Sequence, residues 1–355
     1  MGAKPLALSL SKVTKVIYVD PPFSLLTSLK QKKFRHLLFS KKYRKVNENL
    51  YRFTPLVLPG KDRPGIYKIT SAILKRKIQK LIKKSNIKNK PILITTAPHY
   101  HLFSNDTSNI YWVMDDYISQ PELTGINRDV LVEGHKFQCE NSDLILCASE
   151  KIHTGLNKYH SKSSIFLNGA DTSLFKYPAD KYQIKDLPEK EFAVYVGGIN
   201  DRIDLNYLEA VANAQIPLVI AGNCSINDPL FTEICSKSNV FNIGPIEYEK
   251  VPYLMNLAKV GLVPYKNNEF NNASMPLKIS EYLSCGIEVV STNLEYTKVF
   301  DAQDVHSANS TDEFVSIVQE CLSKDLYPSI RVMRSSRIAS IWSWDKKAQD
   351  LIDLI

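Results

Sequence analysis

The sequence predicts an α/β protein built from two successive doubly wound parallel sheets. Short apolar runs alternate with amphipathic segments along the chain, which is the pattern of parallel strands joined by helices. The alternation lapses in a polar, proline-marked stretch at 176–191 and then starts again. A length of 355 residues suits two such domains, each large enough to bury its own core.

Six apolar runs in the first half are predicted strands. They are VTKVIYVD (13–20), LYRFTP (50–55), PILITTAP (91–98), NIYWVMDD (109–116), DLILCAS (143–149) and SSIFLNG (163–169). Amphipathic periodicity predicts helices at 69–85 and 126–140 between them.

The second half repeats the pattern. Its predicted strands are EFAVYVGG (191–198), IPLVIAGN (216–223), NVFNIGPI (239–246), VGLVPY (260–265) and IEVVST (287–292). Helices are predicted at 204–214 and 274–286, and a last amphipathic segment covers 334–355. Ligands of such sheets collect at the carboxyl ends of the strands, so we expect a cleft between the two domains.

The composition is that of an ordinary globular protein, with 44% hydrophobic and 23% charged residues. It excludes collagen-like, low-complexity and wholly disordered chains. No stretch approaches the ~18 unbroken apolar residues of a membrane-spanning helix, and the N-terminus does not resemble a secretory signal. Because no C-x-x-C pair occurs, we expect reduced core thiols in a cytosolic protein. The six cysteines are Cys139, Cys147, Cys224, Cys235, Cys285 and Cys321.

The positive charge is concentrated at one end. The net charge is +8, and the first 90 residues hold 23 Lys and Arg against 3 acidic residues. Two runs, 28–45 and 73–90, mix these cations with apolar residues. Such segments can bind an anionic membrane surface, although the second run also suits a solvated helix face. A nucleic-acid partner is not expected, because no nucleic-acid module accompanies the charge.

The most informative stretch is NNASMPLKISEYLSCGIEVVST (271–292). Ser274 or Asn272 can cap a helix whose first turn contains Pro276. The N–H groups at such a helix start, together with the positive end of the helix dipole, form a pocket for a diphosphate.

Two charged side chains extend that pocket. Lys278 adds a cation, and Glu281 lies about one turn further along, so both can face one ligand. A carboxylate there can accept both hydroxyls of a ribose. The alternative is an amphipathic helix on which Lys278 and Glu281 merely form a surface ion pair.

The pattern P-L-K-x-x-E-Y-L-x-C-G-x-x-V-V-S at 276–291 resembles the nucleotide-binding domain of GT-B glycosyltransferases of the family-4 type. The resemblance implies two Rossmann-like domains facing a cleft, and a nucleotide-sugar donor held mainly by the second. It also implies that no metal cofactor is needed, because helix dipole and basic side chains neutralise the leaving diphosphate.

Other segments resemble the same family in order and spacing. They are VYVGGINDRIDLNYLEAV (194–211), the later core from 216 to 265, LNGADTSLF (167–175) and SWDKKAQDLIDLI (343–355). The implied domains are an acceptor-side domain at 1–176, a donor domain at 191–333 and a terminal helix at 334–355 that crosses back. The implied donor-binding residues are Gly198, Arg202, Ile246, Tyr265, Ser274, Met275, Lys278 and Glu281.

One position departs from the family pattern. Family-4 enzymes usually carry a second glutamate eight residues before the one matching Glu281, and Ala273 stands there in this chain. The pattern instead resembles a teichuronic-acid-type subgroup and shares features with the inverting xanthan glucuronosyltransferase. The stereochemical outcome, retention or inversion, therefore stays open.

The acceptor side has several candidate residues. Asp115 and Asp116 end the predicted strand 109–116, where a carboxylate could take the proton of an acceptor hydroxyl. Strand alternation favours Asp116 over Asp115. One of them could instead cap the next segment, or the pair could bind a metal. His99 and His101 also follow a strand and could contact substrate, and Asp20 is expected to shape the acceptor loop.

These expectations describe a transferase. It would move a sugar from a nucleotide diphosphate donor, UDP-linked, to a lipid-linked or surface-polysaccharide acceptor at the cytoplasmic face of the membrane. Two alternatives stay open, namely a nucleotide-sugar 2-epimerase of the same fold and a catalytically degenerate partner subunit.

Overall fold

A computed structural model describes residues 2–24, 43–85, 89–157 and 162–355. The chain divides into two units, of which the first comprises Met1–Leu167 and Leu351–Ile355 and the second Asn168–Asp350. Both contain parallel strands joined by helices, as predicted. The finer domain limits expected from the sequence stay predictions.

The first unit carries three small sheets among its described residues. Strands β1 (Val16–Val19), β3 (Tyr43–Lys45) and β4 (Leu50–Phe53) form one, in the order β1-β4-β3. Strands β2 (Phe23–Ser24) and β5 (Leu56–Val57) form a second. Strands β6 (Ile92–Thr95), β7 (Ser108–Val113), β8 (Leu144–Cys147) and β9 (Ser163–Ile165) form a parallel sheet in chain order.

Each of the six strands predicted for the first half overlaps an observed strand, but one pairing differs from the expected parallel arrangement. Strand β3 pairs antiparallel with β4. The cause is the connection 46–49, which is too short for the crossover that a parallel pair requires.

The described residues of the first unit contain the helices α1 (Ala3–Leu10), α2 (Ile66–Lys84), α3 (Arg128–Asn141) and α4 (Glu150–Asn157). The predicted helices at 69–85 and 126–140 are confirmed as α2 and α3. Helix α3 lies directly against the loop that follows β6, because a Cβ on Gly134 would lie 2.4 Å from the Cα of His99. Only glycine allows this approach.

The second unit is a doubly wound domain around one six-stranded parallel sheet. Its strands are β10 (Ala193–Val196), β11 (Leu218–Ala221), β12 (Val240–Gly244), β13 (Val260–Val263), β14 (Glu288–Thr292) and β15 (Val305–Ala308). Their order in the sheet is β12-β11-β10-β13-β14-β15. All residues of β10, β11 and β13 are buried, as expected for parallel strands covered on both faces.

The helices that begin in this unit are α5 (Leu205–Asn213), α6 (Pro229–Ser236), α7 (Val251–Leu257), α8 (Glu269–Ala273), α9 (Leu277–Ser284), α10 (Thr311–Ser323), α11 (Pro328–Trp342) and α12 (Trp344–Leu354). The last residues of α12, from Leu351, belong to the first unit. The amphipathic segment expected at 334–355 is therefore two helices. They separate at Ser343, whose backbone is extended.

Helix α9 is fixed to the centre of the sheet through Tyr282. The hydroxyl of Tyr282 accepts a hydrogen bond from the Val196 N–H (2.9 Å) and donates to the Val194 carbonyl (3.3 Å), both in β10. Gly261 in β13 makes room for the ring, because a Cβ there would lie 2.5 Å from it. The sheet therefore dictates where the start of α9 lies. Among the described helices, none is both long and apolar enough to cross a membrane.

Candidate functional site

The candidate site of the second unit lies where the winding of the sheet reverses. Strands β10 and β13 are neighbours, yet the chain continues from β10 towards β12 and from β13 towards β15. In doubly wound sheets, ligands bind beyond the carboxyl ends of the strands at this reversal. The segments after β10 and β13 and the start of α9 meet there.

Lys278 lies in the first turn of α9 and is held between two tyrosines. Its Nζ donates to the hydroxyl of Tyr265 (3.2 Å) and lies 5.3 Å from the ring centre of Tyr195. Burial opposes its charge, but the electrostatic influence of Tyr265, Tyr195 and Glu281 outweighs burial and raises the pKa of Lys278. A half-buried cation is therefore fixed at the helix start, where the dipole also favours an anion.

The position of Lys278 depends on Gly197, directly after β10. A Cβ on Gly197 would lie 2.0 Å from Nζ and 2.1 Å from Cε of Lys278. Gly197 also has a φ of +148°, which side chains rarely adopt. The neighbouring Gly198 was predicted to contact the sugar donor. Gly198 is exposed, and its carbonyl accepts a hydrogen bond from the Tyr195 hydroxyl (2.9 Å).

Glu281 lies one turn after Lys278 and is half-buried. Burial raises the pKa of Glu281 to about 7, with Lys278 opposing and Asp171 reinforcing the rise. Lys278 and Glu281, both described, form no ion pair with one another. The surface ion pair of the alternative interpretation is therefore not formed by these two half-buried side chains. Their contact with a donor stays a prediction.

Arg202 belongs to a cluster with Tyr265, Phe270 and Asn271, called here the Arg202 cluster. The Arg202 guanidinium carbon lies 4.8 Å from the ring centre of Tyr265 and 4.9 Å from that of Phe270. Its Nε donates to the side-chain oxygen of Asn271 (2.8 Å). Its Nη2 is buried and has no hydrogen-bond partner among the described residues. A second oriented cation thus lies beside Tyr265, the residue that also contacts Lys278.

The local structure at the start of α9 differs from the prediction. Pro276 occupies the N-cap position instead of the first turn. The hydroxyl of Ser274, expected to cap α9, donates back to the Phe270 carbonyl (2.9 Å) and so belongs to the end of α8. Met275 is buried. The reason is the preference of the residue before a proline for extended backbone, which keeps Met275 and Ser274 out of the helix.

Ile246 follows the end of β12 by two residues and is half-buried. Gly244 has a φ of +66°, which turns the chain at this point. The framing of a base by this segment stays a prediction.

The two aspartates after β7 are half-buried and engaged locally. Asp116 accepts a hydrogen bond from the Ser119 N–H (3.3 Å) and so caps a turn, as the alternative interpretation anticipated. Asp115 accepts from the hydroxyl of Tyr117 (2.9 Å). These hydrogen bonds do not test whether either residue acts as a base, and that role stays a prediction.

His99 and His101 follow β6 in the first unit. The Nε2 of His99 lies 3.1 Å from Asp62 Oδ1, while its Nδ1 is buried without a partner among the described residues. His101 stacks on Phe137, with ring centres 3.9 Å apart. Burial lowers the pKa of His101, so its ring is neutral at physiological pH. Their contact with substrate stays a prediction.

Asp20 has a structural role that the sequence did not indicate. Its carboxylate is buried and accepts two bonds from Arg52 Nε, at 2.7 and 3.0 Å, and one from the hydroxyl of Thr54 (2.5 Å). Asp20 therefore joins the ends of β1 and β4. Its predicted influence on an acceptor loop is untested.

Among the described residues, one group has the ligand types of a metal site, namely Glu288, His306 and Cys321. Glu288 is already paired with His306 (2.8 Å) and Arg334 (3.1 Å). Burial raises the pKa of Cys321 to about 12, so its thiol is protonated. The ion pairs of Glu288 with His306 and Arg334 tie β14 and β15 to α11.

Comparison with known proteins agrees with the geometry of the second unit. Residues 204–353 match a family described as "Glycosyl transferase-like". This part of the chain is a glycosyltransferase-like domain. It contains α9, Tyr265 and Asn271, whereas Gly197 and Arg202 lie just before its first matched residue.

A relative that matches 63% of the chain supports the same assignment. TuaH of Bacillus subtilis (strain 168), named as a teichuronic acid biosynthesis glycosyltransferase, is 27% identical over 236 residues. The match covers 63% of this chain and 59% of TuaH, so the chain spans about three fifths of the length of that relative. The expected resemblance to teichuronic-acid-type transferases is confirmed.

Solved structures confirm the predicted GT-B fold. A sucrose-phosphate synthase from Thermosynechococcus elongatus has a TM-score of 0.63 at 15% identity, covering 89% of this chain and 85% of that one. HepE of Anabaena, solved with UDP-glucose, has a TM-score of 0.58 at 13% identity, covering 96% and 98%. A glycosyltransferase of avilamycin A biosynthesis has a TM-score of 0.61 at 13% identity, covering 100% and 89%.

Proposed function

We propose that the protein is a glycosyltransferase that moves a sugar from a UDP-sugar to a lipid-linked or surface-polysaccharide acceptor. The observation that carries the proposal is a pair of cations beside Tyr265 at the reversal of the sheet, with Arg202 Cζ 4.8 Å and Lys278 Nζ 5.6 Å from the centre of its ring. Glu281 stands one turn away to accept ribose hydroxyls. The name of TuaH and the UDP-glucose bound to HepE favour the same donor and acceptor classes.

The chemistry of transfer assigns these residues distinct roles. An acceptor hydroxyl oxygen forms a bond to the anomeric carbon as the bond from that carbon to the diphosphate breaks. The leaving UDP gains negative charge, which Lys278, Arg202 and the start of α9 stabilise. The proton of the acceptor goes to a carboxylate, for which Asp116 and Asp115 are the candidates. The chain supplies the positive charge itself, and we expect no metal requirement.

A ligand panel tests the donor assignment. UDP-sugars are expected to raise the melting temperature of the protein, because a ligand that binds only the native state stabilises it. Incubation with a UDP-sugar alone should leave the sugar unisomerised. An isomerised product would contradict transfer and establish a 2-epimerase. UDP binding that survives both Lys278→Ala and Glu281→Ala unchanged would instead indicate a degenerate partner subunit.

We further propose that the first unit docks on the anionic inner face of the cytoplasmic membrane. Exposed cations recur along α2 at helical spacing, and the described residues form no ion pair with them. They are Arg76, Lys80, Lys83 and Lys84, called here the α2 basic stripe. Near such a surface each cation contributes about 1 kcal/mol of attraction. Of the other basic run, 28–45, only residues 43–45 are described.

Neutralising the α2 basic stripe tests this docking. Replacing its four cations by glutamine should weaken binding to anionic vesicles by about 100-fold at low salt, because most of the ~1 kcal/mol per cation is lost. Co-sedimentation with anionic and neutral vesicles at two salt concentrations measures the effect. Equal binding of the wild type to both vesicle types would contradict the proposal. The control variant replaces four exposed lysines of the second unit, namely Lys181, Lys185, Lys190 and Lys298.

A further inference from the structure

Asn271, at the centre of the Arg202 cluster, is fully buried, and its side chain forms hydrogen bonds to Arg202 and Lys266. Its Oδ1 accepts from Arg202 Nε at 2.8 Å. Its Nδ2 donates to the backbone carbonyls of Arg202 (3.2 Å) and Lys266 (2.8 Å). Asn271 therefore fixes both the main chain and the guanidinium of Arg202.

The orientation of the guanidinium follows from these contacts. Its central carbon lies over the rings of Tyr265 and Phe270, and its Nε donates to Asn271. The bond to Asn271 occupies the Nε–H, and the buried Nη2 has no partner among the described residues. A planar guanidinium fixed in this way presents a fork of donors that matches two phosphate oxygens.

We propose that Asn271 is a positioning residue for diphosphate recognition, acting through Arg202. The inference rests on the proposed function, since it needs a diphosphate as the ligand of Arg202. Without Asn271 the arginine keeps its charge but loses its fixed direction. Binding of the diphosphate then requires an ordering of the side chain that the wild-type protein has already completed.

The chain offers a matched asparagine for comparison. The Nδ2 of Asn239 donates to the carbonyls of Ala212 (3.0 Å) and Ile216 (2.8 Å), so it too ties two backbone segments together. Asn239 contacts no arginine among the described residues. The variant Asn239→Ala thus measures the effect of losing a half-buried amide that bonds to the backbone, without disturbing Arg202.

The test measures the affinities of UDP and uridine by titration calorimetry, because their ratio isolates the diphosphate. Asn271→Ala should lower the affinity for UDP by about tenfold or more, as expected for the loss of a charge-assisted hydrogen bond. Its affinity for uridine should stay within about twofold of wild type. The double variant Asn271→Ala/Arg202→Ala should bind UDP no more weakly than Arg202→Ala alone, because the two residues act as one unit. Asn239→Ala should keep the wild-type ratio.

Other outcomes separate this proposal from the proposed function. Equal losses for UDP and uridine, or a loss that adds to that of Arg202→Ala, would show a merely structural role and overturn the proposal. Arg202→Lys covers the case in which Asn271→Ala fails to fold. The lysine keeps the positive charge but lacks the Nε that bonds to Asn271. If Arg202→Lys bound UDP as tightly as the wild type, the proposal would also be overturned. A wild-type protein that binds UDP no better than uridine would overturn the proposed function as well.

Discussion

Replacing Gly197 by alanine is expected to lower the affinity for UDP-sugars by about 100-fold while leaving the fold intact, since a lost ionic hydrogen bond is worth about 1.5–3 kcal/mol. The added Cβ would lie 2.0 Å from Nζ of Lys278, which must leave its position between Tyr195 and Tyr265. The displaced atoms are the end of a flexible side chain, so the clash itself is relieved easily. The strained φ of +148° costs about 1–3 kcal/mol of stability.

Titration of the variant with UDP, together with a thermal melt, checks this expectation. Lys278→Ala should show a similar loss, and the double variant should bind no more weakly than either single one. Gly155→Ala is the control, because Gly155 lies in α4 and a Cβ there meets no atom within 4 Å. Wild-type UDP affinity in Gly197→Ala would show that the position of Lys278 is irrelevant.

Glu281→Gln is expected to change stability and donor affinity in opposite directions. Burial raises the pKa of Glu281 to about 7, so the native state keeps a proton that the unfolded chain releases near the ordinary value of 4.5. The free energy of unfolding therefore falls as the pH rises between these values, by about 3 kcal/mol in total. Glutamine carries no charge to bury, so the variant should melt at a higher temperature than wild type at pH 8 and at a similar one below pH 4.5.

Donor binding should follow the opposite trend, because ribose hydroxyls are accepted best by the ionised carboxylate. In wild type, the affinity for UDP should rise about tenfold between pH 6 and pH 8, as a group with a pKa near 7 ionises. In Glu281→Gln the affinity should be lower at pH 8 and nearly independent of pH. Glu233→Gln, at an exposed position of α6, is the control. A pH-independent wild-type affinity would contradict the assignment of Glu281 to the ribose.

The second unit was the more predictable half of the fold. Each of its five predicted strands overlaps an observed strand, and the apolar runs are clearest for β10, β11 and β13, which are buried along their whole length. Lys278 and Glu281 could also be predicted from the sequence, because they lie about one helical turn apart. The break at Ser343 was not foreseen, because the apolar pattern continues across it.

Several residues of the candidate site had no local signal. Asn271, Tyr195 and Gly197 act through partners 69 to 83 positions away along the chain, and no short-range pattern reports such contacts. Asp171 influences Glu281 across a still larger separation in the sequence. The glycine next to β10 could have been suspected from the pair Gly197–Gly198, but only the structure shows which of the two makes room for Lys278.

The central claim is that the start of α9 binds the diphosphate and the ribose of an activated sugar. A crystal structure of the protein soaked with UDP tests it most directly. We expect phosphate oxygens within hydrogen-bond distance of Lys278 Nζ and of the Arg202 guanidinium, with both ribose hydroxyls on the carboxylate of Glu281. A nucleotide bound elsewhere, with these three side chains unchanged and without contact to it, would contradict the claim.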